Sequence, residues 1–233
     1  MSLSPIALLE FTATCFENVP TEIMALLLVG SRMYDVAASR LIFPYPDPSP
    51  RVALVLAGTA RSFLTAADGR QLTVRYARRG ALIGKYSDLS GDHAPLAAQA
   101  ISDSTVLEFD VETFSRVARS EISVSTAIVE ELARRLDDVY ATVGATAFGT
   151  ARQCVTRHLL ALAAPAANSE WSTANVTQQQ IADGIGSSRE VVARILAQLR
   201  TEGLIRTRPR AIELLGVDQL AASLNHWQPE SPY

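Results

Sequence analysis

The stretch from residue 177 to residue 199 constrains the fold more than any other part of the chain. Thr177, followed three residues later by Gln180, is typical of a capping box that opens a helix. Gly186 fits a tight turn, and Ser188 can cap a second helix whose apolar residues keep helical spacing. The pattern predicts a helix-turn-helix.

The second predicted helix exposes charged side chains near its N-terminal end. Arginine can donate two hydrogen bonds to the O6 and N7 atoms of guanine, and glutamate can accept one from the N4 amine of cytosine. Side chains of these types on an exposed helix face are suited to reading base edges in DNA. The candidates for base contacts are Arg189, Glu190 and Arg194.

The same region offers groups that could bind the DNA backbone. Hydroxyls, amides and free N–H groups at helix starts bind phosphates. After the second helix, residues 204–214 are typical of a two-stranded wing with arginines at its tip. The predicted phosphate contacts are Thr177, Gln179, Ser188, Arg208 and Arg210.

Charge is distributed unevenly along the chain. The net charge is −3, yet residues 151–216 carry eight arginines against five acidic residues. A basic part on an acidic carrier fits a DNA-binding module attached to a sensor or dimerisation module.

Residues 51–110 have a β-like pattern with turn residues at short intervals. Strands predicted near 61–65 and 71–76 flank Asp68-Gly69, a strong hairpin turn signal. Residues 52–56 and 105–109 are further candidate strands. Short strands with turns of this kind predict a small antiparallel barrel or sandwich. Residues 165–175 are predicted as a loop with a short strand near Trp171.

A helix is predicted from residue 121 to residue 147, with apolar residues spaced by three and four and charged residues on the other faces. This seam favours a parallel two-stranded coiled coil in a homodimer; packing against its own domain is the alternative. Gly144, Phe148 and Gly149 are expected to interrupt the helix, and Thr150 to cap the next one. The predicted dimer contacts are Val129, Leu132, Leu136, Val139 and Val143.

Several classes of protein are disfavoured. No apolar run approaches the ~20 residues that span a bilayer, and the first ten residues lack the basic region of a signal peptide, so a cytoplasmic protein without membrane contact is expected. No phosphate-binding loop, nucleophile elbow or metal-ligand motif is found, and the three histidines are scattered. We therefore expect no enzyme activity, no catalytic residues and no metal site.

The run of residues 185–196 closely resembles the recognition signature of the cyclic-AMP receptor protein/FNR family, and the likeness extends over residues 50–216. It implies an α+β chain. An N-terminal region (1–117) holds helices and an antiparallel β-roll of the jelly-roll type, followed by a dimerisation helix (118–147), a winged helix-turn-helix (148–216) and a tail (217–233). It also implies a homodimer on double-stranded DNA, a TGTGA-like half-site read by Arg189, Glu190 and Arg194, and RNA polymerase as a partner.

The sensor half departs from the family pattern. Lys85 stands where cyclic-AMP binders carry a glutamate, no arginine occurs between Arg79 and Arg116, and Val139 and Tyr140 stand at the adenine-contacting positions. A buried phosphate would lack its bidentate cation, so cyclic AMP is not expected to bind in the usual way. The candidate effector pocket comprises Gly84, Lys85, Tyr86, Val139 and Tyr140.

The effector itself stays open. An iron–sulfur sensor of the FNR type needs four cysteine ligands, and the chain has two cysteines. The alternatives are a non-nucleotide small molecule, a haem held by Tyr86 or His93, and no ligand at all, with Tyr140 filling the pocket. A ligand-binding module with a non-functional helix-turn-helix is the remaining alternative.

Overall fold

The computed structural model describes residues 14–45, 49–85, 96–165 and 171–224. The chain divides into two compact units, one of residues 1–64 with 74–139 and one of residues 65–73 with 140–233. Within the described residues, no helix is both long and apolar enough to cross a membrane.

The first unit consists of a β-roll flanked by helices. The elements in chain order are α1 (Thr21–Leu27), β1 (Arg32–Val36), β2 (Leu41–Phe43), β3 (Arg51–Ala57), β4 (Thr59–Thr65), β5 (Gln71–Arg78), β6 (Leu82–Lys85), β7 (Ala97–Ala100), β8 (Ser104–Glu108), α2 (Val111–Ser120) and α3 (Ile122–Phe148). The strands form two four-stranded antiparallel sheets, ordered β1-β8-β3-β6 and β2-β7-β4-β5.

Strand β3 shows why a continuous apolar run occurs in this sheet. Ala53 and Val55 face the core between the two sheets, whereas Leu54 and Leu56 face a second core under the helices. Successive side chains of a strand point to opposite faces, so a strand covered on both faces needs apolar residues at every position. The hairpin predicted around Asp68-Gly69 is confirmed as β4–β5, with Gly69 at a φ of 85°.

Helix α3 corrects one prediction. Gly144 was expected to interrupt the helix, but α3 continues through it to Phe148. One glycine inside a helix costs only about 1 kcal/mol, and Gly144 is buried, so packing can offset that cost. The break falls instead at residues 149–150, where Thr150 forms a capping box with Gln153.

The second unit is a winged helix-turn-helix. Its small sheet has the order β11-β12-β10-β9. The short strand predicted near Trp171 is confirmed at Ser172–Ala174, where β10 pairs with both β9 and β12. Residues 166–170 of the predicted loop lie outside the described residues. The elements are α4 (Ala151–Leu162), β9 (Ala163–Pro165), β10 (Ser172–Ala174), α5 (Gln178–Ile185), α6 (Arg189–Thr201), β11 (Ile205–Arg208), β12 (Ala211–Leu214) and α7 (Val217–Ala222).

Helix α7 lies within residues 217–233, which are predicted to be a C-terminal tail. Its Leu220 is buried, so this part of the chain packs into the second unit. Residues 225–233 lie outside the described part of the chain.

Candidate nucleic-acid interface

The turn between α5 and α6 has the geometry that the sequence predicts. The Thr177 hydroxyl accepts the N–H of Gln180 at 3.1 Å, and the Gln180 side chain accepts the N–H of Thr177 at 2.8 Å. Gly186 has a φ of 65°, a left-handed conformation that glycine adopts without strain. Ser188 caps α6 by accepting the N–H of Val191 at 3.4 Å.

Close packing against α4 fixes the position of α5. A Cβ atom added to Gly184 would lie 1.9 Å from Cε1 of His158, which is itself buried. Only glycine leaves room for the imidazole at this crossing. Gly184 is therefore a packing residue that the sequence analysis did not single out.

Helix α6 has one buried and one exposed side. Val192, Ile195, Leu196 and Leu199 are buried. The three predicted base-contacting residues, Arg189, Glu190 and Arg194, are all exposed in the first half of the helix.

The carboxylate of Glu190 is set up to stay ionised. A hydrogen bond from its own backbone N–H, a hydrogen bond with the Ser188 side chain and the charge of Arg189 hold the pKa of Glu190 below its ordinary value of 4.5. An ionised carboxylate only accepts hydrogen bonds, which suits it to the N4 amine of cytosine.

The predicted phosphate contacts at the helix starts already have intramolecular partners. Thr177 and Ser188 accept backbone N–H groups as caps. The cap leaves the hydroxyl proton of Thr177 available for donation, whereas the hydroxyl proton of Ser188 is directed to the carboxylate of Glu190. The Gln179 amide donates to Oδ1 of Asp183 at 2.7 Å. The second amide N–H of Gln179 could still donate to a phosphate, but the nearby Asp183 carboxylate would repel that phosphate.

The wing places its arginines as predicted and adds a residue that the sequence analysis missed. Arg208 ends β11, and Arg210 lies at the tip with a φ of 59°. Glu213 accepts hydrogen bonds from Arg206 Nη1 and from Arg208 Nε, each at 3.1 Å. The hydrogen bond from Arg208, followed by that from Arg206, holds the pKa of Glu213 below its ordinary value.

An ion pair links the first helix of this unit to the end of α6. Arg152 donates to both carboxylate oxygens of Glu202, with 2.7 Å between Nη1 and Oε1. The hydrogen bond from Arg152 lowers the pKa of the Glu202 carboxyl. The pair joins the beginning of α4 to the C-cap of α6.

Three of the five predicted dimer residues lie in an exposed apolar stripe along α3. Val129, Leu136 and Val143 are exposed and follow one another at intervals of seven, and Ile122, which is 82% exposed, precedes them by the same interval. Leu132 is half-buried and packs against the core of its own unit, and Val139 is half-buried.

The candidate effector pocket lies only partly within the described residues. Tyr86 and the side chain of Lys85 lie outside the described residues. A Cβ atom on Gly84 would lie 2.0 Å from the carbonyl oxygen of Arg51, so this glycine is required by the close approach of β6 to β3. Tyr140 is 61% exposed in the single chain.

Thiol and metal chemistry find little support in the described residues, where no cluster of three or more potential metal ligands occurs. Burial raises the pKa of the Cys15 thiol to about 12, and burial also raises the pKa of Cys154. Neither thiol is set up as a thiolate. His93, one of the two candidate haem ligands, lies outside the described part of the chain.

Comparison with known proteins identifies the two units. Residues 35–121 match the cyclic nucleotide-binding domain, and residues 153–223 match the Crp-like helix-turn-helix domain. The transcriptional regulator LdrP of Thermus thermophilus is 34% identical over 161 residues, which cover 66% of this chain and 76% of LdrP. The chain belongs to the cyclic-AMP receptor protein/FNR family.

Further members of the family align over more of the chain. The cyclic AMP receptor protein of Thermus thermophilus is 28% identical over 196 residues, covering 84% of this chain and 88% of the relative. The structure of the c-di-GMP responsive regulator CLP of Xanthomonas campestris has a TM-score of 0.72 at 20% identity, covers 84% of this chain and 99% of CLP, and shares the fold. The chain is thus a transcription regulator of this family with a helix-turn-helix DNA-binding domain.

Proposed function

We propose that the chain binds, as a homodimer, a pseudo-palindromic operator with TGTGA-like half-sites. The observation that carries this proposal is the exposed face of α6, where Arg189, Glu190 and Arg194 stand opposite the buried side of the helix. Exposed charges on a helix that is already held by its apolar side contribute little to folding. Their chemistry matches the guanine and cytosine edges of such a half-site.

Backbone contacts would set the register of this helix in the major groove. The first turns of α5 and α6 present N–H groups and the hydroxyls of Thr177 and Ser188, and the wing presents Arg208 and Arg210. Such contacts orient a protein on the duplex without reading its sequence. Specificity would then rest on the three base-contacting side chains.

The exposed stripe on α3 supports the homodimer. Apolar residues at intervals of seven, on a helix whose other side packs on its own unit, are suited to pairing with a second copy in a left-handed coiled coil. A twofold dimer would present two recognition helices to the two halves of a palindrome. As a transcription regulator it would also meet RNA polymerase, the second macromolecular partner that we propose.

We further propose that cyclic AMP does not bind in the usual way. Between Arg79 and Arg116 there is no arginine to pair with a phosphate, and the glycine of the pocket turn is accounted for by backbone packing. Isothermal titration of the purified protein with cyclic AMP should show no binding in the micromolar range. A micromolar dissociation constant would contradict this part of the proposal.

Fluorescence anisotropy with a TGTGA-N6-TCACA duplex and a scrambled duplex tests whether the protein binds DNA with this sequence specificity. Arg194→Ala should cost about 1–3 kcal/mol at one base pair of the half-site and relax specificity there. Arg200→Ala, an exposed arginine in the last turn of the same helix, is the matched control and should weaken both duplexes equally or not at all. Equal affinity of the unmodified protein for the two duplexes would contradict the proposal.

A further inference from the structure

A charged cluster joins α3 to strands β5 and β6 inside the first unit. Nη2 of Arg75 lies 2.7 Å from Oε1 of Glu131, and its Nε lies 2.9 Å from Oδ2 of Asp138. Its Nη1 donates to the carbonyl oxygen of Leu82 at 3.3 Å. The side chains of Arg75 and Glu131 are only 9% and 3% exposed.

The helix holds the backbone of β6 through further contacts of the same cluster. Oε1 of Glu131 accepts the N–H of Leu82 at 3.3 Å, and its other oxygen accepts from Nη2 of Arg134 at 3.2 Å. Nη2 of Arg135 donates to the carbonyl oxygen of Leu82 at 2.9 Å. Both polar groups of Leu82 are therefore bound by side chains of α3.

The cluster lies beside residues predicted to hold an effector. Arg75 is on the same face of β5 as Ala77, which belongs to the core between the sheets. Leu82 is two residues from Gly84, and Asp138 immediately precedes Val139. Arg75, a cation beside these residues, is thus already bound by two carboxylates.

The hydrogen bonds of the cluster depend on the direction in which side chains of α3 point, whereas the apolar contacts of this helix depend on it much less. Val124, Ile128 and Leu132 pack the helix against the roll, but apolar packing is compatible with more than one rotation of a helix. Replacing a buried ion pair by apolar residues is often neutral for stability, whereas the pair itself favours one arrangement. The hydrogen bonds of the cluster are made in the one rotational position of α3 that the structure shows.

We infer that Arg75, Glu131 and Asp138 take the place of a small-molecule effector. They hold α3 in one position on the roll, so that the exposed stripe faces outward and DNA binding needs no ligand. The three side chains are positioning residues that do not touch DNA. This inference rests on the proposed DNA-binding function and specifies its regulation.

The test uses full-length protein purified without nucleotides. The variants are Glu131→Gln, which removes the buried charge, and Asp138→Asn, which changes a half-exposed residue and is the milder replacement. Glu130→Gln is the matched control, because Glu130 is exposed and adjacent in the same helix. Circular dichroism establishes that each variant is folded. Hydrogen–deuterium exchange of residues 122–139 reports how firmly the helix is held, and anisotropy with the operator duplex measures DNA affinity.

The unmodified protein should bind the duplex without any added ligand, and saturating cyclic AMP should leave its affinity unchanged. Glu131→Gln and Asp138→Asn should stay folded, exchange faster in residues 122–139 and lose at least about tenfold in DNA affinity, within the usual range of coupling between sites. Glu130→Gln should match the unmodified protein in both measurements.

Either of two results would overturn this inference without contradicting the proposed DNA-binding function. One is a strong gain in DNA affinity of the unmodified protein on addition of cyclic AMP. The other is unmodified DNA affinity or exchange in folded Glu131→Gln and Asp138→Asn. Failure of the unmodified protein to bind any duplex, with or without cyclic AMP, would instead contradict the proposed function, and exchange in residues 122–139 would still decide whether the cluster holds the helix.

Discussion

At the scale of single residues, a carboxylate holds two of the wing arginines. Glu213 pairs with Arg206 and Arg208, and its side chain is only 13% exposed. A phosphate that binds Arg208 must share the guanidinium with this carboxylate or displace it. If Arg208 binds a phosphate as proposed, Glu213 would oppose DNA binding while it keeps the two arginine side chains ordered.

Glu213→Gln should raise affinity for DNA. Removal of one negative charge beside the phosphates frees the arginines, and the gain should be about two- to fivefold, the range of exposed ion pairs. The salt dependence should become steeper, because more counterions are released on binding. Anisotropy titrations at several salt concentrations measure both effects. Asp218→Asn, an exposed acid of the same unit outside the wing, is the control. Weaker binding by Glu213→Gln would show that ordering of the arginines outweighs competition.

Gly184→Ala should destabilise the second unit by about 1–3 kcal/mol, the usual cost of inserting an atom into a packed core. The new methyl group would overlap the imidazole of His158. Chemical denaturation of Gly184→Ala, His158→Ala and the double variant measures the coupling between the sites. The methyl group should cost much less when His158 is already alanine. Additive costs would show that the overlap is relieved elsewhere.

At the scale of elements, the Arg152–Glu202 pair makes stability depend on pH. The folded-state pKa of Glu202 is below its ordinary value of 4.5, so its contribution is present above that value and is lost as pH falls through the folded-state pKa. Glu202→Gln should lower the midpoint of thermal unfolding near neutral pH, and the difference from the unmodified protein should vanish in acid. Gln198→Ala, a replacement of an exposed neutral residue in α6, should show no such trend. A difference that persists at low pH would contradict the assigned role of the pair.

Local signals explain why the helix-turn-helix could be predicted. Thr177, Gly186 and Ser188 act within one turn of their own positions, so the caps and the turn follow from neighbouring residues. The hairpin at Gly69 is local in the same way. The prediction that Gly144 interrupts α3 was wrong, because burial offsets the cost of a glycine in a helix. The spacing of residues in the sequence does not show that Gly144 is buried.

Contacts between distant residues could not be predicted. The pairing of Arg75 with Glu131 and Asp138 joins a strand to a helix about 60 positions away, and the imidazole of His158 meets Gly184 across two helices. Glu213 is the intermediate case. A two-residue turn at Pro209-Arg210 sets Arg206 opposite Glu213, so the register of the hairpin contained a usable signal.

At the scale of the whole molecule, the exposed stripe on α3 determines the predicted assembly. Leu136→Glu places a charge in the middle of the stripe and should convert the proposed dimer to a monomer, because a buried unpaired charge is costly. Sedimentation equilibrium measures the change, and operator binding should fall with it. Asp137→Ala, next to it on an exposed position, should stay dimeric. A monomeric unmodified protein that still binds the full operator would contradict the assembly.

The stripe also bears on how such a regulator would respond to its own abundance. If subunits must pair before they occupy a palindrome, occupancy at low concentration rises with the square of the amount of chain. Halving its synthesis would then cut operator occupancy to about a quarter. Such a regulator would need no metabolite to change its operator occupancy. Its occupancy would be set by the rates at which the protein is synthesised and degraded.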